Sequence, residues 1–182
     1  MTCSVLVADP PWRFGDKLPG NGRGAAKHYP TLSAAELCRF PLPPLAKDAH
    51  LFLWRVASMQ QEALDVGRVW GFALKAELVW RKQTSKGKRW FGMGRRVRME
   101  HEVCLIFARG RPAVLDHSIR SVFDAPVPGD RHSAKPDAFF DIVHRLCGAP
   151  TPDTHVELFA RQVRNGWSTY GNELTEAHPE VA

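Results

Sequence analysis

The chain has 182 residues, 44% hydrophobic and 24% charged, which is the balance of one globular domain with a single sizeable core. No run approaches the roughly 18 apolar residues of a membrane span, and no basic stretch followed by an apolar leader opens the chain. Membrane insertion and secretion are therefore not expected, and the compartment expected is the cytoplasm.

Strand and helix patterns alternate along the chain. Ser4–Ala8 (SVLVA) is a short apolar run, as a strand buried on both faces would be. It runs straight into Asp9-Pro10-Pro11-Trp12, an acid and two prolines that packing alone does not ask for. A glycine-rich stretch, Gly15–Lys27, follows with no periodicity and reads as a loop of the kind that closes over a site. Ser33-x-x-Glu36 is a capping-box pattern that opens a short helix ending near Phe40. Ala49–Trp54 (AHLFLW) reads as a second buried strand. Met59, Ala63, Val66 and Trp70 then share one helical face, with Gly71 as the stop. Leu74–Trp80 and Val103–Ala108 read as strands on either side of a basic segment. Pro136 suits a first helical turn, Phe139, Ile142, Val143 and Leu146 make its apolar stripe, and Gly148 closes it. His155–Ala160 (HVELFA) and a short run near Trp167–Tyr170 complete the set. Strands separated by helices predict an α/β fold with a mostly parallel sheet. The expected organisation is one domain over residues 1–174, with flexible loops at 15–32 and 82–98 and a frayed tail at 175–182.

Charge is local. Net charge is +6, and Lys82–Arg98 (KQTSKGKRWFGMGRRVR) holds seven basic residues and no acid, so the rest of the chain stands near −1. A basic stripe interleaved with Trp90 and Phe91 is the expected footprint of a polyanion. Lys82, Lys86, Lys88, Arg89, Arg95, Arg96 and Arg98 are the candidate phosphate contacts, and Trp90 or Phe91 a base-stacking ring. Cys3, Cys38, Cys104 and Cys147 form no C-x-x-C pair and read as small buried apolar residues. The eight histidines show no H-x-x-x-H or H-E-x-x-H spacing, so no metal site is expected. Trp54, Trp70 and Trp80 read as core.

At the carboxyl end of the first strand, Asp9 would project into the crevice above the sheet. The prolines would fix a rigid turn whose carbonyls face a ligand, and Trp12 would offer a flat apolar surface. Such a device suits a planar group bearing an NH₂, and adenine fits. Together with HYPTLS (His28–Ser33), LFLW (Leu51–Trp54), ELVW (Glu77–Trp80), HEVCLIFARG (His101–Gly110), Ser133-x-Lys135-Pro136-Asp137 and ELFAR…GW…GNE (Glu157–Glu173), the Asp9–Trp12 motif resembles that of the DPPW-type adenine methyltransferases.

That family includes the catalytic subunit of the messenger-RNA adenine methyltransferase and single-domain bacterial and phage enzymes. The resemblance implies a Rossmann-like methyltransferase sheet in permuted order, S-adenosyl-L-methionine as cofactor and S-adenosyl-L-homocysteine as product. It implies that Asp9 and the Pro10 carbonyl hold the target amine, with Pro11 and Trp12 shaping the pocket. It places Asp9, Tyr29, Lys135, Glu157, Phe159, Arg161, Asn172 and Glu173 around the cofactor. Ala160 stands where relatives often have glycine. The expected substrate is adenine in DNA. Adenine in RNA is the alternative within the same chemistry, a catalytically silent nucleic-acid-binding partner is the alternative outside it, and a homodimer or a heteromeric partner stays open.

Overall fold

The computed structural model describes residues 2–13, 31–92, 96–129 and 134–171. Among these residues seven strands form one sheet: β1 (Cys3–Ala8), β2 (Leu45–Arg55), β3 (Ala73–Gln83), β4 (His101–Arg109), β5 (Val122–Pro126), β6 (His155–Leu158) and β7 (Ser168–Tyr170). Their order across the sheet is β5-β3-β4-β2-β1-β6-β7. Only β4 runs against its neighbours β2 and β3. The pairs β1–β2, β1–β6, β3–β5 and β6–β7 are parallel. The chain is thus α/β with a mostly parallel sheet, as its pattern implies.

Among the described residues three α-helices cover the faces: α1 (Ala34–Cys38), α2 (Gln60–Val69) and α3 (Asp137–Cys147). Alternation along the strands divides the interior in two. On one face Leu6, Leu51, Leu53, Leu105 and Phe107 pack against Leu37 of α1 and Ala63 and Val66 of α2. On the other, Val5, Val7, Phe52, Trp54 and Cys104 pack against Phe139, Phe140 and Val143 of α3. Gly67 lets α2 lie close to the sheet, because a Cβ there would stand 2.4 Å from the Phe107 ring. Among the described residues no helix is long and apolar enough to cross a membrane.

Ser33 caps α1 with both halves of the capping box present, so the S-x-x-E pattern reads correctly. Pro136 is the N-cap of α3 rather than its first helical residue. β2 and β3 each extend beyond the apolar runs that reveal them, to 11 residues. β5 went unread because only Ala125 of its five residues is buried. Cys3 and Cys104 are buried as expected, whereas Cys38 and Cys147 are half-buried, and all four are free thiols.

β1 is the switch point of the sheet: one parallel neighbour, β2, follows it in the chain, and the other, β6, comes near the end. Connections leaving a strand in opposite directions open a crevice at its carboxyl end, where α/β sheets hold ligands. The carboxyl ends of β1, β2, β3 and β6 and the amino end of β4 lie on this side.

Candidate active site

Asp9 is the first residue after β1, at the mouth of that crevice. The corner behind it is locked by backbone hydrogen bonds. The Trp12 N–H donates to the Pro10 carbonyl (2.8 Å), closing a three-residue turn, and the Leu32 N–H donates to the Pro11 carbonyl (2.8 Å). Proline supplies the fixed φ that such a turn needs. The Pro10 carbonyl thus already accepts one hydrogen bond, and a carbonyl oxygen has a second lone pair to offer. Residues 31–32, expected in a flexible loop, are pinned by these bonds. Gly15–Lys27 lies outside the described residues.

A cleft of about 350 Å³ opens beside the corner, lined by Asp9, Pro10, Pro11, Arg55, Lys82 and Glu102 among others. A narrower recess adjoins it, walled by Asp9, Lys135, Glu157, Phe159 and Arg161. Asp9, Trp54, Lys135 and Arg161 border both. The structure therefore gathers five of the residues named for the cofactor around one recess. Tyr29, Asn172 and Glu173 lie outside the described residues.

An ion cluster sits where the two spaces meet. The Lys135 ammonium donates to Asp9 Oδ2 (2.6 Å), lies 3.3 Å from Glu102 Oε2, and rests 5.1 Å from the Trp54 ring centroid. Lys82 pairs with the other Glu102 oxygen at 2.5 Å. Burial is the largest influence on Asp9 and pushes its carboxyl above the usual range, against the pull of Lys135. Glu102 is half-buried, and Lys135 and Lys82 outweigh the desolvation cost and hold its carboxyl down at about 2. Burial works against the Lys135 charge too, yet Asp9 and Glu102 together keep the ammonium well above its ordinary value.

Glu157 on β6 differs. Burial pushes its carboxyl up to about 7, with Arg164 pulling the other way. Arg164 Nε lies 3.6 Å from Glu157 Oε2, too far for a hydrogen bond, and both atoms are buried without a hydrogen-bond partner among the described residues. Phe159, just past β6, has φ +62°, a left-handed backbone rare outside glycine and typical of functional corners. The methyl of Ala160 is buried in the core and does not line the recess. Close approach at this turn falls instead to Gly171, where a Cβ would stand 1.9 Å from the Ala160 carbonyl oxygen.

Several expectations need correction. Trp12 is only 3% exposed, and its indole N–H donates to the Trp54 carbonyl (2.9 Å). It walls the cleft from the core side and is no open stacking platform. Lys82 is not an open phosphate contact, because it is held by Glu102 and lies over the Trp80 and Trp90 rings. Trp90 is half-buried under that ammonium, which leaves Phe91, 55% exposed, as the open ring. The basic segment is no featureless loop: Gln83 bridges Arg89, and the Thr84 N–H donates to the Lys88 carbonyl, so it begins as a hairpin continuing β3. Lys86, Lys88, Arg89, Arg96 and Arg98 are exposed on it, and Arg95 is outside the described residues.

Sequence reasoning missed Glu102 and Arg55. The signal for Glu102 was an acid directly ahead of the buried run VCLIF on β4. Trp54 reads as core and is core at 1% exposure, yet it borders both spaces with its indole N–H unpartnered among the described residues. Among the described residues no group of three or more His, Cys, Asp or Glu is placed to hold a metal.

The fold and site together define an α/β protein with an acid-and-proline corner at the switch point of its sheet, opening on a cleft and an adjoining recess. The chain belongs to the MT-A70 family, whose model matches residues 3–173. Over 94% of its length it is 31% identical to the N(6)-adenosine-methyltransferase MT-A70-like protein of Drosophila melanogaster, covering 27% of that protein. Over 96% it is 30% identical to the human N(6)-adenosine-methyltransferase catalytic subunit METTL3, covering 29%. It is 28% identical to the type II methyltransferase M.MunI of a Mycoplasma species, over 97% of this chain and 80% of that one. The chain thus spans under a third of the first two relatives.

Proposed function

We propose that the chain is an S-adenosyl-L-methionine-dependent methyltransferase acting on the 6-amino group of adenine in DNA. The observation that carries this reading is the Asp9 carboxylate set beside the Pro10 carbonyl at the open cleft of an MT-A70 domain. The lone pair of the adenine amine is delocalised into the ring, so the amine is a weak nucleophile. Two acceptors taking its two protons turn the lone pair out of conjugation. They bind more strongly as the nitrogen becomes positive, and that difference is what accelerates a step. Asp9 Oδ2 is engaged by Lys135, which leaves Oδ1 for the amine. The raised proton affinity of Asp9 suits it to take the proton once transfer is complete.

The recess fits the cofactor in kind. Lys135 and Arg161 are cations for its carboxylate, and the orphaned Glu157 Oε2 and Trp54 indole N–H are a buried acceptor and donor awaiting partners. When bound, the cofactor supplies an electrophilic methyl group on a sulfonium sulfur. Pro10, Pro11 and the locked turn keep the receiving amine from wandering. An adenine in duplex cannot reach such a pocket, so it must be flipped out or already single-stranded.

The choice of DNA is supported by the relative named a type II methyltransferase, 80% of which this chain spans. The relatives named adenosine methyltransferases favour RNA as the second reading. Incubation with methyl-labelled cofactor and matched DNA and RNA oligonucleotides, then nucleoside analysis, separates them. Label in N6-methyldeoxyadenosine is expected. Label only in the ribonucleoside selects RNA. No label in either, with no cofactor binding by calorimetry, points to a silent binding partner.

A further inference from the structure

Arg55 ends β2 at the same end of the sheet as Asp9. It lines the 350 Å³ cleft. Its Nε is buried with no hydrogen-bond partner, and no carboxylate pairs with it among the described residues. The other acids and strong bases described in that cleft have company: Asp9 and Glu102 share Lys135, Glu102 also holds Lys82, and Arg161 is engaged as well. The lining carries four cations, Arg55, Lys82, Lys135 and Arg161, against the two carboxylates. The cofactor's single carboxylate faces Lys135 and Arg161 on the reading above, which leaves Arg55 without an anion. A phosphodiester supplies one, and a guanidinium offers it a planar pair of donors.

We infer that Arg55 is a substrate-binding residue that holds a backbone phosphate adjoining the target adenine, inside the cleft and apart from the basic hairpin. This rests on the nucleic-acid reading above. Arg55 adjoins Val103 across β2–β4, next to Glu102 and its ion cluster, so a phosphate on its guanidinium would fix the nucleotide's position relative to the Asp9–Pro10 corner. Its buried Nε, unpaired among the described residues, gains a charge-assisted bond from the contact.

The test measures anisotropy binding of a labelled single-stranded oligodeoxynucleotide with one adenine, across a salt series, to wild type, Arg55→Gln and Arg55→Lys. Calorimetry with S-adenosyl-L-homocysteine runs alongside. Arg55→Gln should weaken oligonucleotide binding about tenfold and reduce the salt slope by about 0.7, with cofactor affinity unchanged. Arg55→Lys should fall between, since it keeps the charge and loses the fork. Replacing the phosphate beside the adenine with a neutral methylphosphonate should weaken wild type by a similar factor and leave Arg55→Gln unaffected. The wild-type half of this arm needs no mutation, so it holds even if Arg55→Gln disturbs the fold. Equal binding by wild type and Arg55→Gln, or methylphosphonate insensitivity in wild type, overturns the inference alone. Loss of cofactor affinity in Arg55→Gln assigns the residue to the cofactor and also overturns it. Wild type that binds no oligonucleotide sinks the functional reading first.

Discussion

The Asp9 carboxylate serves Lys135 with one oxygen, and on the proposed function the other receives the amine. Asp9→Asn preserves shape while removing both the charge and the final proton acceptor. Methyl transfer should fall about 10²–10³-fold, with the circular dichroism spectrum and melting temperature close to wild type; activity within a few fold of wild type would remove Asp9 from the chemistry. Glu157 makes a pH prediction. An unfolded chain ionises this acid near its ordinary 4.5, the folded one near 7. Between those values the unfolded state binds fewer protons, so the residue's contribution is full below about pH 4.5 and is lost as pH rises through 7. Glu157→Gln lacks this loss. The melting temperature of wild type relative to Glu157→Gln should therefore drop from pH 4.5 to 7 and then level, by at most about 3 kcal/mol in stability. A flat difference would mean the carboxyl is not desolvated. Asp9 was legible in the sequence because an acid between a buried strand and two prolines has no packing purpose. Arg55 was not, because a lone arginine after LFLW looks like any strand end. Only the three-dimensional pairing of the other charges exposes it.

At the scale of elements, α2 meets β4 through Gly67. A methyl there would stand 2.4 Å from the Phe107 ring, so Gly67→Ala should cost about 1–3 kcal/mol by overpacking despite alanine's better helix propensity. In a Phe107→Leu background the penalty should shrink, a coupling readable by a double-mutant cycle of thermal melts; equal penalties in both backgrounds would refute the contact. The elements legible in advance were those with a buried periodic face or a chemical cap: β1, α2, α3, and α1 through Ser33 and Glu36. β5 was not, because a mostly exposed edge strand carries no apolar alternation. The carboxyl end of β3 was not either, since Lys82 continues the strand as a polar residue whose ion-pair partner, Glu102, lies on another strand.

Across the whole molecule, the positive excess is gathered on the hairpin that extends β3, at the same end of the sheet as the cleft. Reversing the charges of Lys86, Lys88 and Arg89 together should weaken oligonucleotide binding and lower its salt slope by about 2, roughly 0.7 per lost single-strand phosphate contact. Unmoved affinity would place the binding surface elsewhere. The sequence pattern revealed that a basic surface exists and where in the chain it lies. It did not reveal that Lys82 leaves this surface to pair with Glu102, because that depends on strand register. The central claim is that the Asp9–Pro10 corner grips the adenine amine. A crystal structure with S-adenosyl-L-homocysteine and an adenine-bearing oligonucleotide tests it most directly. The adenine N6 should stand about 2.7–3.2 Å from both an Asp9 carboxylate oxygen and the Pro10 carbonyl oxygen. A base seated in the cleft with its amine turned away, and Asp9 bonded to Lys135 alone, would contradict it.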